Sequence, residues 1–219
     1  MRLMNARTLS GFVAALLIAS ATAACSQEPP RAKADTGSSA HKHDMAGMSG
    51  MDRMSMLVVI PKGAIYTEAD VRFMQGMIAH HAQAIYMSRM AAGRNANPRV
   101  LKFANKIDQS QQAEIRLMQD WLVANKQTAP DTGSWRTMSM PGMLTAAQLA
   151  QLDASKGVDF DAEFLNLMIQ HHNGALKMVA DLLATPMAAQ DVDVSVFAND
   201  VEVVQTAEIA LMQQMLANL

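Results

Sequence analysis

The pattern of apolar and polar positions predicts four long helices between about residue 68 and the end of the chain. Apolar residues recur there at intervals of three and four positions, which is typical of helices that bury one face. The only strand-like apolar run is Met56 to Ile60. The predicted helices run from about Glu68 to Ala92, Arg99 to Asn125, Phe160 to Ala184 and Ala188 to Ala217, with a short helix near Ala146 to Asp153.

The second half of this helical region repeats the first. Between Phe103–Leu122 and Phe197–Leu216, 11 of 20 positions are identical, and between Asp70–Met90 and Asp161–Asp181, 8 of 21 positions are identical. Each half therefore predicts the same helical hairpin. Because two hairpins can bury their apolar faces against each other, we expect an all-α four-helix bundle with approximate internal twofold symmetry.

The first 24 residues have the features of an export signal. Arg2 and Arg7 flank the start of a short apolar run, Leu9 to Ala19, and small residues follow at the expected cleavage site. The run is too short to span a membrane as a helix. Cys25 lies at the cleavage site, where a lone cysteine is typical of a bacterial lipoprotein. We expect an exported protein of the periplasm or cell envelope, with lipidation of Cys25 and ordinary signal cleavage as the two alternatives.

Composition divides the rest of the chain into an arm and a folded domain. Residues 25–64 predict a flexible tether, because the segment from 26 to about 56 has almost no branched apolar residues to bury. Residues 65–219 suffice for one compact bundle. We divide this bundle into repeat 1 (67–126), a linker (127–157) and repeat 2 (158–219).

Charge and cysteine content argue against nucleic-acid binding and exclude an intrachain disulfide. The sequence carries 18 basic and 20 acidic residues, and removal of the signal with its two arginines leaves 16 and 20, a net charge of −4. This balance does not fit a nucleic-acid-binding protein. The single cysteine excludes an intrachain disulfide, so the core must stabilise the fold.

A histidine pair occurs once in each repeat, as His80-His81 and as His171-His172. Adjacent residues on a helix point about 100° apart, so useful partners lie three, four or seven positions away. Imidazole and thioether groups on one face predict a metal site, above all for copper, with zinc or another divalent transition metal as the alternative. For any single methionine, core packing is the simpler explanation. The methionines that accompany the histidines are Met77, Met87, Met168 and Met178.

The predicted arm contains a second group of the same ligand types, in the segment HKHDMAGMSGMDRMSM. A flexible segment has no core for these side chains to fill, and exposed thioethers oxidise readily. Metal capture therefore explains them better than packing does. A weaker echo, Met138, Met140 and Met143, surrounds Pro141 in the linker. The predicted ligands of the arm are His41, His43, Met45, Met48, Met51 and Met54.

One glutamate repeats in the second helix of each hairpin, as Glu114 and Glu208. A di-iron site in a helical bundle usually contains Glu-x-x-His, but Leu117 and Leu211 occupy the third position after these glutamates. We expect both carboxylates to be partly exposed or hydrogen-bonded to a neighbouring histidine. In the latter case each carboxylate would orient a metal-binding imidazole by accepting from the ring nitrogen that does not bind the metal.

The two M-I-x-H-H motifs, Met77 to His81 and Met168 to His172, resemble those of the bacterial family called domain of unknown function 305, as do the A-E-I-x-L-M segments of the partner helices. The resemblance covers roughly residues 67–219. It implies an exported, ferritin-like four-helix bundle that carries such histidine pairs, and some members of the family are associated with periplasmic copper handling. It implies no established reaction, because fold transfers more safely than function.

The leading hypothesis is an exported metal-binding protein that sequesters or delivers copper or confers copper tolerance. Its partners would be metal ions and metal-trafficking proteins, with membrane contact only through an N-terminal lipid anchor. The alternative enzyme is a metal-dependent oxidase or peroxidase, which needs an open coordination position and a substrate cavity. No catalytic residue is assigned. The third hypothesis is a non-catalytic envelope interaction protein whose histidines are structural.

Overall fold

A computed structural model of the chain describes residues 58–219, and these residues form five α-helices and no strand. The helices are separated by turns and by two short 3₁₀ segments, Ala91–Gly93 and Ser134–Arg136. The prediction of an all-α helical bundle is therefore confirmed. The helices are α1 (Glu68–Met90), α2 (Pro98–Ala124), α3 (Ala146–Ala154), α4 (Gly157–Leu183) and α5 (Val192–Leu216).

Several predicted features lie outside the described residues. They are the export signal, Cys25 and the ligands of the arm, namely His41, His43, Met45, Met48, Met51 and Met54. Within residues 58–219, no helix combines the length and the apolar character needed to cross a membrane.

Side-chain capping explains where α1 and α5 begin. At α1, the Thr67 hydroxyl accepts from the Asp70 backbone N–H while the Asp70 carboxylate accepts from the Thr67 backbone N–H at 2.7 Å. This reciprocal capping fixes the first turn. At α5, the predicted start near Ala188 is wrong by four residues. Asp191 caps the helix instead by accepting from the backbone N–H groups of Asp193 and Val194.

The four long helices pack as two hairpins, α1 with α2 and α4 with α5, and the hairpins meet where α1 contacts α4. The core consists of two apolar clusters. One contains residues from the first half of α1 and the second half of α4, and the other contains residues from the opposite halves. The two helices therefore run antiparallel, and each histidine pair lies between the two clusters.

Two aspartates at equivalent positions of the repeats tie the hairpins to each other. Asp70 Oδ1 accepts from the backbone N–H of Ala189, in the turn between α4 and α5, at 2.6 Å. Asp161 accepts from the backbone N–H of Asn97, in the turn between α1 and α2, at 3.0 and 3.1 Å. Both carboxylates are buried. Each hairpin thus holds the turn of the other, which keeps α1 and α4 in register around their histidines.

Candidate metal centre

The two histidines of each pair point to different neighbours. His80 from α1 meets His171 from α4, with ring centroids 3.8 Å apart and the ring planes at 40°. His81 and His172 instead face the second helix of their own hairpins. All four side chains are fully buried. We call the contact between His80 and His171 the histidine seam.

The second histidine of each pair is held by a glutamate. His81 Nε2 lies 2.6 Å from Glu114 Oε2, and His172 Nε2 lies 2.9 Å from Glu208 Oε2. Lys106 Nζ donates to the other oxygen of Glu208 at 3.1 Å. Burial raises the pKa of Glu208, but the hydrogen bond and charge of His172, assisted by Lys106, outweigh it, so its pKa lies below the ordinary value. A carboxylate in this position fixes the orientation of the imidazole it faces.

The histidine seam has a different electrostatic character. Burial, together with the neighbouring His81, lowers the pKa of His80 to about 3. Burial, followed by the proximity of His80, holds the pKa of His171 well below its ordinary value. Both rings are therefore neutral at physiological pH, and neutral imidazole is the form that binds metal ions.

The two rings of the seam differ in their hydrogen bonds within residues 58–219. His80 Nε2 lies 3.1 Å from the carbonyl oxygen of Pro141. Because a carbonyl only accepts, Nε2 carries the proton and Nδ1 presents a lone pair. That Nδ1 and both ring nitrogens of His171 are buried without a hydrogen-bond partner in the described part of the chain. Buried polar atoms normally have such partners, so three unsatisfied nitrogens at one contact are consistent with a ligand site.

The connection between the hairpins covers the seam, through a short segment that we call the seam loop, Met140–Leu144. Gln83 binds its last residue twice, donating to the Leu144 carbonyl at 3.1 Å and accepting from the Leu144 backbone N–H at 2.7 Å. A Cβ atom on Gly142 would lie 2.6 Å from Gly174 Cα, so the loop backbone rests directly on α4. Sequence reasoning did not assign these contacts. The only signal for them was the run of methionines around Pro141.

The predicted methionine ligands of the bundle lie in the packed core or against it. Met77, Met87 and Met168 are fully buried, and Met178 is half-buried. Met77 belongs to the same apolar cluster as Met178, and Met87 belongs to the other cluster with Met168. The core position accounts for these side chains by packing alone, so their role as ligands stays a prediction.

The two tilted rings of the seam are not arranged as they would be around a shared ion. A metal–nitrogen bond of about 2 Å places two imidazole centroids on one ion about 5 to 6 Å apart, whereas the seam has 3.8 Å. Within residues 58–219, no three His, Cys, Asp or Glu side chains converge as a metal site. Binding at the seam therefore requires the rings to separate and needs ligands besides these four residue types. Neither ring nitrogen of His171 has a hydrogen-bond partner among residues 58–219, so this ring is less restrained than His80.

Comparison with known sequences gives two matches. A family model described as "Domain of unknown function (DUF305)" matches residues 70–216. Uncharacterized protein L153 of Acanthamoeba polyphaga mimivirus is 38% identical over 73 residues, which is 32% of this chain and 48% of the relative. The match thus spans about half the length of that curated relative.

Comparison with solved structures gives relatives of the same fold. A DUF305 protein of Streptomyces coelicolor, named as a presumed secreted protein, is 29% identical with a TM-score of 0.60, over 68% of this chain and 93% of that one. CopM in its Cu(I)-bound form is 29% identical with a TM-score of 0.54, over 68% of this chain and 96% of that one. CopM has also been solved in Cu(II)-bound and Ag-bound forms.

Proposed function

The chain belongs to the DUF305 family, as the resemblance in its histidine motifs predicted, and on this premise we propose that it is an exported copper-binding protein. Its cargo would be held in the bundle at the histidine seam and captured by the methionine-rich arm. The role would be copper sequestration, delivery or tolerance in the cell envelope. The relationship to CopM, which has been solved with copper and silver, supports this choice of metal, and the presumed secretion of the Streptomyces relative supports export.

The observation that carries the proposal is the set of three buried nitrogens at the seam that have no hydrogen-bond partner among residues 58–219. Leaving a buried polar atom unsatisfied costs about 1 to 3 kcal/mol. A bound ion would offset this cost at His80 and His171 together. Neutral imidazole suits copper in either oxidation state as well as zinc, and the surrounding methionines favour the softer copper(I) ion.

The proposal is tested by titrating the mature protein with Cu(I) in competition with a chromophoric chelator. We expect more than one equivalent to bind. The double variant His80→Asn/His171→Asn removes both seam imidazoles and should lose the bundle equivalent, whereas deletion of residues 40–56 should lower the capacity and leave that equivalent in place. If the wild-type protein competes for no Cu(I), the proposal is wrong. Equal losses from the two variants would contradict separate sites in arm and bundle.

A further inference from the structure

Two thioether side chains from different elements meet beside Gly76 of α1. Gly76 lies on α1 one turn before His80, and its missing side chain leaves a space at the helix surface. The Met140 sulfur lies 3.1 Å from the point where a Cβ of Gly76 would be, and the Met178 methyl carbon lies 3.4 Å from the same point. Because residues four apart on a helix are neighbours, the space at Gly76 lies on the same face of α1 as His80.

The position of Met140 is imposed by the backbone of the seam loop. The next residue, Pro141, holds His80 Nε2 through its carbonyl oxygen, and Gln83 fixes the far end of the loop at Leu144. Met140 itself is 8% exposed. The same short segment thus binds the imidazole of His80 and places a thioether at Gly76, one turn away on the same helix face.

We infer that Met140 is a metal ligand that the connection between the hairpins adds to the histidine seam, an inference that rests on the proposed function. With His80 and His171, it gives the site imidazole and thioether donors, with the Met178 side chain adjacent. Thioethers favour soft ions, whereas imidazole alone accepts zinc equally well. The seam therefore selects Cu(I) or Ag(I) over Zn(II).

The other two methionines of the linker are in a different position. Met138 and Met143 are partly exposed and line a surface groove of about 620 Å³ on the outer side of the seam loop. Neither is among the nearest atoms to the Gly76 space. Met143 is therefore a matched control for Met140, since it belongs to the same loop and differs in where its side chain lies.

The test uses the mature full-length protein with ¹³C-labelled methionine methyl groups and ¹⁵N-labelled histidine rings, and Ag(I) as the probe. Silver undergoes no redox reaction here, and resolved methyl signals separate bundle from arm. We expect the Met140 signal to shift in proportion to the ion bound in the bundle, while the Met143 signal does not. An unmoved Met140 signal at saturation, with shifted His80 and His171 ring signals, would overturn the inference and leave the proposed function standing. If no bundle signal moves, both fail.

A pair of variants gives the second measurement. Met140→Leu keeps the volume and removes the sulfur, and Met143→Leu is its control. Since loss of an outer partner of a metal ligand already lowers affinity by roughly 10- to 100-fold, we expect Met140→Leu to weaken bundle Ag(I) binding by at least about tenfold. Zn(II) binding and the melting temperature should change little. Equal Ag(I) affinities of the two variants in the bundle would contradict a ligand role for Met140.

Discussion

His80 and His81 are neighbours in the sequence but belong to different environments, and so do His171 and His172. The first histidine of each pair meets its copy across the two hairpins, and the second bonds the glutamate of its own hairpin. Since a helix turns about 100° per residue, two adjacent histidines point in different directions from the helix axis. One ring of each repeat supports its hairpin, and the other is presented to the second repeat.

The two environments also differ in how their rings are held. A carboxylate accepts from His81 and another from His172, so both rings have a charged partner. At the seam, a backbone carbonyl holds His80, and no hydrogen bond within the described chain holds His171. His81 and His172 are therefore the more restrained pair. His80 and His171 are the less restrained pair, and they are the ones we propose to bind an ion.

The largest expected effect comes from Gly174→Ala, which disturbs the seam and leaves the glutamate-bonded histidines untouched. The new Cβ would overlap the carbonyl group of Pro141, where neither backbone can yield cheaply. Overpacking of this kind costs about 1 to 3 kcal/mol or more, despite the better helix propensity of alanine. Urea unfolding of the metal-free protein measures the loss.

The matched control is Gly93→Ala, where a Cβ would meet nothing within 4 Å. It should be neutral or slightly stabilising. If Gly174→Ala were equally harmless, the seam loop would not rest on α4 as described. The seam histidines would then not be distinguished from His81 and His172 by a covering loop.

Much of this arrangement was predictable from local sequence. Thr67 and Asp70 mark the start of α1, and the repeat of Phe103–Leu122 in Phe197–Leu216 predicts two like hairpins, because both signals depend on neighbouring residues. The start of α5 was not predictable in the same way. Its first turn depends on the capping by Asp191, and the preceding turn contains Met187 and Ala189 at positive φ.

The site was predictable only in part. Helical geometry separates His80 from His81 but does not say which of them faces the other hairpin. That choice depends on the crossing of α1 and α4, which is a property of the whole core. The contacts of Pro141 and Gly142 were also not predictable from the sequence, because a loop that approaches α4 at Gly174 leaves no periodic pattern in it. Whether the predicted side chains bind metal stays a prediction.

The dependence of the free energy of unfolding on pH gives a second way to compare the seam histidines with the carboxylate-bonded ones. The pKa of His80 is about 3 in the folded protein and about 6.5 in an unfolded chain. The unfolded state therefore takes up a proton that the folded state does not. The resulting stability is fully present above pH 6.5 and is lost as the pH falls from 6.5 towards 3. At pH 5 the loss is about 2 kcal/mol for this residue.

Replacing the seam histidines separates their contribution to the pH dependence of stability from the contribution of the carboxylates. His80→Gln keeps an amide donor for the Pro141 carbonyl and removes the titrating ring. Between pH 7 and pH 5, the metal-free variant should lose about 2 kcal/mol less free energy of unfolding than the wild type. His171→Gln should behave in the same direction, because its pKa is also lowered. Parallel pH profiles of the wild type and both variants would show that the seam rings are not buried in the neutral form.

The last prediction compares the two glutamates that hold the second histidines. Glu208 is 4% exposed and accepts from two donors, His172 and Lys106, whereas the side chain of Glu114 is 28% exposed and, within residues 58–219, accepts from His81. In Glu208→Gln, the negative charge is lost and one carboxylate oxygen becomes an amide nitrogen, so the two oxygen acceptors that now serve His172 and Lys106 are reduced to one at a buried position. In Glu114→Gln, the amide oxygen can still accept from His81, and water reaches the other side.

We therefore expect Glu208→Gln to lower the free energy of unfolding by about 1 to 3 kcal/mol and Glu114→Gln by less than about 1 kcal/mol. Denaturant unfolding near pH 7 without metal measures both. Because neither glutamate belongs to the histidine seam, Ag(I) affinity of the bundle should change less in these variants than in Met140→Leu. If Glu114→Gln lowered the Ag(I) affinity more than Met140→Leu does, the second histidines would also contact the ion. The assignment of His81 and His172 to a structural role only would then be wrong.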